Sequence, residues 1–242
     1  MREEIVRLQQ DAMADMGLEA MIAISPENFA YTTGFVVPSQ PLMRWRHAMA
    51  VVTRDGREAL LVVDMEESTV RNHAKGMEVR VWGEFTDSSM EVLVDLLKDM
   101  DLSESAVGLE LSYLPAEDFE CLKGLLPGAD FRRADEIYDR LRQIKSTGEI
   151  ELIRILSRIT DQAIGEALGS VKAGMTEMDL AGVLTRGIYA RGAEQFKLMI
   201  VATGERSEYP NVGPSHRILN PGDLCRVEIF GMIRGYHAAV CR

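Results

Sequence analysis

Hydrophobic residues in the first part of the chain alternate between helical spacing and short apolar runs. Ile5, Leu8, Ala12 and Met16 recur every three or four residues, which predicts an amphipathic helix. Runs of strand length then alternate with helical segments as far as about residue 126. The predicted strands are 20–24, 47–52, 59–63, 79–82 and 107–111, and the predicted helices are 65–73, 90–100 and 116–126. This order predicts an α/β domain with a largely parallel sheet.

A turn-forming segment, Arg54-Asp55-Gly56-Arg57, separates the second and third of these strands and predicts a β-hairpin. The alternation of strands and helices is Rossmann-like in layout. However, no Gly-x-Gly-x-x-Gly follows the first strand, and the sequence contains no Walker lysine loop. The sequence therefore does not predict a nucleotide site.

The second part of the chain has two helix starts of the same kind. Ser146 with Glu149, and Thr176 with Asp179, have the spacing of capping boxes. We expect a long helix after the first and a helix ending near Gly192 after the second. Strands are predicted at 196–202, 224–230 and 235–241. The change of pattern within 133–146 predicts two domains, 1–135 and 146–242.

Composition and charge narrow the class of protein. A hydrophobic content of 46% over 242 residues is enough for real cores. The excess of 38 acidic over 27 basic residues, without a basic cluster, argues against a nucleic-acid partner. No apolar run approaches membrane-spanning length and no apolar signal core follows the N-terminus, so we expect no membrane partner and a cytoplasmic protein. The three cysteines are widely spaced, which is typical of reduced thiols in a cytoplasmic protein.

Eight segments of the chain follow the pattern of a known family: 28–35, 142–146, 174–177, 210–211, 214–219, 221–224, 226–231 and 235–242. In these segments the chain resembles the pita-bread family that includes methionine aminopeptidase, aminopeptidase P, prolidase and creatinase, and it is most similar to the creatinase branch. The resemblance implies a Rossmann-like creatinase/prolidase N-terminal domain followed by the first half of an α+β pita-bread domain. In the family a second half supplies another His and two Glu, so we expect this sequence to be part of a longer protein.

The resemblance also shows where metal ligands are missing. Metallopeptidases of the family carry His where this chain has Asn211, and Asp where it has Glu228 and Ala239. Only one of the three positions keeps a carboxylate, and a methyl group cannot bind a metal. The sequence therefore predicts neither a metal nor another cofactor.

Strand periodicity groups the candidate residues of the final hairpin. Residues two apart share a face, so His237 and Cys241 lie on the side of Ala239, and Arg226 lies on the side of Glu228. This set suits an anionic substrate or a proton-transfer pair. The alternative is a salt-bridged cluster that only balances its own charges. Cys241 is a weaker candidate nucleophile, since no activating base is evident beside it.

Three further residues are candidates outside the hairpin. Asn211 can hold a substrate carbonyl or amide, or can simply form a turn. His216 can act as a substitute base, or can be a solvated loop residue. The creatinase resemblance implies that Arg46 binds the substrate carboxylate from a neighbouring subunit, and hence a homodimer; otherwise Arg46 belongs to a surface loop.

These observations predict a metal-independent hydrolase that acts on a C–N bond of a small carboxylate-bearing amino compound or a proline-containing dipeptide. Glu228, His237 and Asn211 are the predicted catalytic residues, and Arg46, Arg226 and His216 are the predicted substrate-binding residues. Two alternatives remain open. One is a pita-bread protein that binds a ligand or peptide without catalysis. The other is a metal-dependent Xaa-Pro aminopeptidase or dipeptidase.

Overall fold

The computed structural model describes residues 2–242, in two units that divide between Ile144 and Lys145. Within residues 2–144, the first unit contains six α-helices, six strands and a 3-10 turn at Asp64–Glu66. The helices are α1 (Glu3–Met16), α2 (Pro26–Thr33), α3 (Glu67–His73), α4 (Ser89–Asp99), α5 (Ala116–Leu125) and α6 (Asp135–Gln143). The strands are β1 (Ala20–Ala23), β2 (Met49–Thr53), β3 (Glu58–Val63), β4 (Glu78–Trp82), β5 (Ala106–Leu109) and β6 (Asp130–Arg133).

The sheet of the first unit has the strand order β4-β3-β2-β1-β5-β6. The pairings β1–β5, β5–β6 and β3–β4 are parallel, whereas β2 runs antiparallel to both of its neighbours. The sheet is mixed because the predicted hairpin reverses the chain between β2 and β3, with Val51 opposite Ala59. The predicted α/β class is confirmed, with three of the five pairings parallel.

Helices cover both faces of this sheet, so its strands are apolar on both sides. Ile22 lies in the core cluster beneath α4 and α5, with Leu93 and Leu122. Its neighbour Met21 lies in the opposite cluster, with Phe29 of α2 and Tyr138 of α6. Successive strand residues therefore enter different cores, as the alternation of a pleated strand requires.

Three elements of the first unit have no counterpart among the predicted ones. Helix α2 is buried along most of its length, so its residues show no amphipathic pattern; it begins with Ser25 as its N-cap and Pro26 at its first position. Strand β6 is a mostly exposed edge strand with the sequence Asp-Phe-Arg-Arg. Helix α6 follows it at once. Polar edge strands and fully buried helices both lack the periodicity on which prediction from sequence depends.

The second unit is a three-stranded antiparallel sheet packed on two helices. Its elements are α7 (Thr147–Gly169), α8 (Glu177–Ala190), β7 (Gln195–Thr203), β8 (Cys225–Ile233) and β9 (Tyr236–Cys241), with a 3-10 turn at Gly204–Glu208. Both predicted capping boxes are confirmed, one at the start of each helix. The strand order is β7-β8-β9. Val227, Ile229 and Ala238 face the helices and join their core.

Helix α7, with 23 residues, is the longest helix, and charged residues recur along it. Within residues 2–242, no helix combines the length and the apolar character needed to cross a bilayer.

Close packing between the hairpin and the helices predicts the effect of adding one methyl group. A Cβ at Gly231 would lie 3.0 Å from Thr160 Oγ1 and 3.2 Å from Leu156 Cδ1. Since three side chains surround this point, we expect Gly231→Ala to lower the free energy of unfolding by about 1–3 kcal/mol, measured by urea denaturation. Gly182→Ala on α8 is the control, because nothing lies within 4 Å of its added Cβ. The control should gain roughly 0.5–1 kcal/mol from helix propensity. A stabilised Gly231→Ala protein would show that the contact is looser than the structure indicates.

Candidate functional site

The register of the final hairpin sets which side chains share its open face. Glu228 lies opposite Cys241, and Met232 lies opposite His237. Opposite residues of an antiparallel pair project to the same side, and Arg226 shares that side because it is two residues from Glu228. The intervening residues face the helices, so this side of the sheet carries the candidate polar groups. Ala239 and Cys241 are exposed, whereas Arg226, Glu228 and His237 are half-buried.

Arg226 is tied to the segment that contains Asn211. Its Nη2 donates hydrogen bonds to the carbonyl oxygens of Tyr209 and Pro210, the second at 3.2 Å. The structure therefore brings Arg226 and the Asn211 segment together. Part of the guanidinium that was expected to bind substrate instead orients the backbone directly before Asn211. Among residues 2–242, the side chains of Asn211 and Glu228 make no hydrogen bond or ion pair.

A buried carboxylate holds the other end of the same loop. Glu177, at the first position of α8, has no exposed surface. One oxygen accepts from the amide and hydroxyl of Thr203 at 2.8 and 2.9 Å. The other accepts from the amide and hydroxyl of Ser215 at 2.9 and 2.6 Å, and from Arg206 Nε at 3.0 Å. Glu177 thus fastens the loop from Thr203 to Ser215 onto the start of α8.

The electrostatics of Glu177 follow from these contacts. Burial by itself raises the pKa of Glu177, but the hydrogen bonds from Ser215 and Thr203 and the charge of Arg206 outweigh it. The pKa of Glu177 is therefore lower than the usual value. The position at a helix N-terminus also favours the charged carboxylate. The group is a buried, permanently charged anchor near neutral pH.

A second ionic network, centred on Arg217, links the segment after β7 to the turn before β8. Arg217 Nη1 lies 2.6 Å from an oxygen of Asp223, and Nη2 lies 2.8 Å from an oxygen of Glu205. Hydrogen bonds from Arg217 hold the pKa values of both carboxyls below their usual range. Gly204 has φ +53°, and a Cβ there would collide with the guanidinium of Arg217. A glycine is required at this point for the network to form.

The sequence pattern did not identify Glu177 or Arg217 as parts of the site. Glu177 was recognised only within the turn 174–177, because a Glu at a helix start is ordinarily an exposed residue that favours the helix dipole. Its proximity to Thr203 and Ser215 depends on the folded chain. In the sequence, the contact is indicated only by Glu177 at the start of a helix and by the Thr and Ser residues that follow that helix, among them Thr203 and Ser215.

His216 lies beside the start of α8 and is exposed. Hydrogen bonds from Thr176 lower the pKa of Asp179, and the charge of His216 adds to the effect. His216 is therefore placed near Asp179, one residue after the Ser215 anchor.

Arg46 belongs to the first unit. Its Nε lies 2.7 Å from Glu84 Oε1, and the two side chains are only 15% and 12% exposed. The loop that carries it is held by Gln40, whose Nε2 donates to the carbonyls of Ile24 at 2.5 Å and Ala48 at 3.0 Å. Arg46 is thus already paired with a carboxylate, and a substrate would have to replace Glu84.

The described residues do not offer the donor set of a metal pair. Within residues 2–242, no group of three or more His, Cys, Asp or Glu side chains is arranged to hold a metal ion. At the three coordinating positions implied by the resemblance, Asn211, Glu228 and Ala239 together supply one carboxylate. These residues do not fit the metal centre of the family's peptidases.

Comparisons with known proteins agree with both units. Residues 6–144 match the creatinase/prolidase N-terminal domain, and residues 151–242 match metallopeptidase family M24. The Xaa-Pro dipeptidase of Pyrococcus furiosus is 24% identical over 245 residues, covering 100% of this chain and 64% of its own length. The ectoine hydrolase of Halomonas elongata is 26% identical over 159 residues, covering 61% of this chain and 40% of its own length.

The structure is also similar to solved ones. The X-Pro aminopeptidase of Thermotoga maritima aligns with a TM-score of 0.83 at 22% identity, over 98% of this chain and 64% of that one. At this identity the likeness shows the fold alone. The chain spans less than two thirds of the length of the relatives that match it from end to end, for example 62%, 65% and 64%.

The Glu177 anchor leads to a stability prediction. In Glu177→Gln an amide donor faces the donors of Thr203 or Ser215, so we expect the free energy of unfolding at pH 7 to fall by about 2–4 kcal/mol. Because the folded-state pKa lies below the ordinary 4.5, the carboxylate stabilises the fold above that pH. Its contribution is lost as the pH falls through the folded-state value.

Urea denaturation at several pH values measures both effects, and the gap between wild type and variant should narrow in acid. Glu208→Gln is the control, since it removes an exposed charge from the same loop. Equal stabilities of the wild type and Glu177→Gln at pH 7 would contradict the anchoring role.

Proposed function

Because the chain belongs to the creatinase/prolidase N-terminal domain family and continues into metallopeptidase family M24, we propose that it acts as a hydrolase of this group without a metal ion. The proposed reaction is hydrolysis of a C–N bond in a small, carboxylate-bearing nitrogen compound. The observation that carries the proposal is the donor set at the coordinating positions, where Asn211 and Ala239 leave Glu228 as the only carboxylate. The matching ectoine hydrolase supports this substrate class by its name.

In the proposed mechanism, the open face of the hairpin performs the proton transfers. Glu228 and His237 share that face and can give and take protons at the scissile group and at water. Asn211, on the segment held by Arg226, holds the carbonyl or amide of the substrate. Glu228 and His237 are half-buried, which strengthens their hydrogen bonds relative to water. His216, on the same loop, contacts the substrate at its outer end.

Arg46 is proposed to bind the substrate carboxylate across the interface of a cytoplasmic homodimer. Its planar fork of donors suits a bidentate pair with a carboxylate. The contact with Glu84 supports the proposal, since it keeps the guanidinium oriented before substrate arrives. The substrate carboxylate then exchanges with that of Glu84.

A metal-dependent Xaa-Pro peptidase is the second candidate, and the dipeptidase and aminopeptidase among the relatives favour it. A single experiment separates it from the first. The purified full-length protein is assayed for bound metals by mass spectrometry, and for hydrolysis of ectoine, creatine, other guanidino acids and Xaa-Pro dipeptides, with and without a chelator.

We expect metal content far below one ion per chain and turnover of a carboxylate-bearing compound that survives chelation. Glu228→Gln should lower kcat by at least about 100-fold, the usual contribution of a general acid or base, whereas Glu208→Gln should not. Tightly held metal near one per chain, with activity lost on chelation, would establish the metallopeptidase instead. Saturable binding of a compound without any turnover would indicate a non-catalytic protein.

The role of Arg46 has its own test. For the best substrate of the panel, Arg46→Ala should weaken binding of the carboxylate by roughly 2–5 kcal/mol, because a charged partner is removed from a mostly buried pair. Arg44→Ala is the matched control, since the neighbouring guanidinium stacks on Tyr113 instead. Binding is measured by calorimetry, and an unchanged affinity in Arg46→Ala would remove Arg46 from the site.

A further inference from the structure

A tyrosine of β9 connects the tip of the final hairpin to the start of helix α7. Strands β8 and β9 are joined by Arg234 and Gly235, which have φ of +51° and +79°. Positive φ at both residues is typical of a two-residue hairpin turn, so Tyr236 directly follows the reversal of the chain and pairs with Ile233. The hydroxyl of Tyr236 donates a hydrogen bond to Glu149 Oε1. This contact attaches the first residue of β9 to the start of α7.

Glu149 is a buried carboxylate whose two oxygens have separate partners. Its exposed fraction is only 4%. Oε2 accepts from the amide of Ser146 at 2.8 Å, within the capping box that starts α7, and Oε1 accepts from the hydroxyl of Tyr236. The helix N-terminus stabilises the charge, and the two hydrogen bonds fix the carboxylate in place. The start of α7 is therefore a firm support for Tyr236.

Tyr236 and the histidine that follows it lie on opposite faces of β9. Tyr236 shares its side with Ala238, which packs in the core formed with the helices. His237 projects from the open face, opposite Met232. Because one peptide bond joins Tyr236 to His237, the hydrogen bond on the helix side restrains the backbone from which the imidazole projects.

The start of β9 depends on such a restraint because β9 is an edge strand. Among residues 2–242, β9 pairs only with β8. Segments with exposed backbone hydrogen bonds open locally at low free energy. The turn itself is held by a different carboxylate, since the amide of Arg234 donates to Glu194 Oε2 at 2.8 Å. The Glu194 contact therefore holds the turn, whereas the Tyr236 contact holds the strand that carries His237.

We propose that Tyr236, held by Glu149, is a positioning residue for His237. This inference rests on the proposed function, in which His237 transfers protons on the open face of the hairpin. A proton is transferred only within hydrogen-bond reach, about 2.6–3.2 Å between heavy atoms, so a small displacement of the imidazole slows the reaction. Tyr236 faces the helices and acts on the reaction through His237.

The first test compares Tyr236→Phe with wild type in the full-length protein. The variant keeps the aromatic ring and its packing and loses only the hydroxyl. We expect kcat for the best substrate of the panel to fall about three- to tenfold and KM to change by less than about twofold. The reason is that the imidazole is displaced in the reactive complex, whereas the groups that bind the substrate are not. Steady-state kinetics measure both constants.

Ser146→Ala is the matched control for stability. It removes the side-chain cap of α7, which destabilises the same helix start, but it keeps the backbone amide that donates to Glu149 Oε2. We expect Ser146→Ala to retain the wild-type kcat at a temperature at which urea denaturation shows both variants to be folded. A role of Tyr236 in stability alone would lower kcat no more in Tyr236→Phe than in Ser146→Ala.

A second measurement does not depend on turnover. The imidazole signals are recorded by NMR in protein labelled with nitrogen-15 histidine, and the signal that is lost in His237→Asn is that of His237. In Tyr236→Phe we expect this signal to shift and broaden, because the imidazole samples more positions. In Ser146→Ala we expect it to match wild type.

The outcomes separate the inference from the proposed function. An unchanged kcat in His237→Asn would contradict the proposed function, because His237 would then transfer no proton. A lowered kcat in His237→Asn, with kcat and the His237 signal both unchanged in Tyr236→Phe, would overturn the positioning role alone. Equal losses of kcat in Tyr236→Phe and Ser146→Ala would also overturn it. If no compound is turned over, the proposed function fails, and the His237 signal alone decides whether Tyr236 orients the imidazole.

Discussion

The candidate site depends on one buried interaction, the carboxylate of Glu177 with the two ends of the loop from Thr203 to Ser215. A carboxylate without exposed surface is tolerable only when its oxygens are fully occupied, and here five donors occupy them. The same contacts join the start of α8, the end of β7 and the segment after Asn211. Each of these contacts helps to stabilise the buried charge, so the loss of one weakens the attachment of the loop to the helix.

Arg226 complements this anchor from the other side. It reaches from β8 to the carbonyls of Tyr209 and Pro210, whereas Glu177 holds the loop at Ser215. The segment containing Asn211 is therefore fastened before and after that residue. Such bracketing holds an exposed amide in one place without burying it, which is what a group that meets a ligand requires. The contacts of Arg226 with this segment are made to backbone carbonyls.

Much of the fold was predictable because its signals are local. The capping boxes at Ser146 and Thr176 and the two-residue period of β9 depend on neighbours in the sequence, and the structure confirms these elements. Helix α2 and strand β6 were missed because one is buried along most of its length and the other is polar. The period also placed Arg226 on the face of Glu228. That its guanidinium binds carbonyls 16 and 17 residues away follows only from tertiary structure.

The pairing of Arg46 with Glu84 constrains how a carboxylate could bind there. Both side chains are mostly buried, so removal of Glu84 from the guanidinium without replacement would leave two charges poorly solvated. An incoming carboxylate replaces that ion pair with another of the same kind, so the guanidinium stays paired. A neutral ligand cannot form an ion pair with Arg46 in place of Glu84. The arrangement therefore discriminates between charged and neutral ligands, and selection by charge is the property that a clamp for small carboxylates needs.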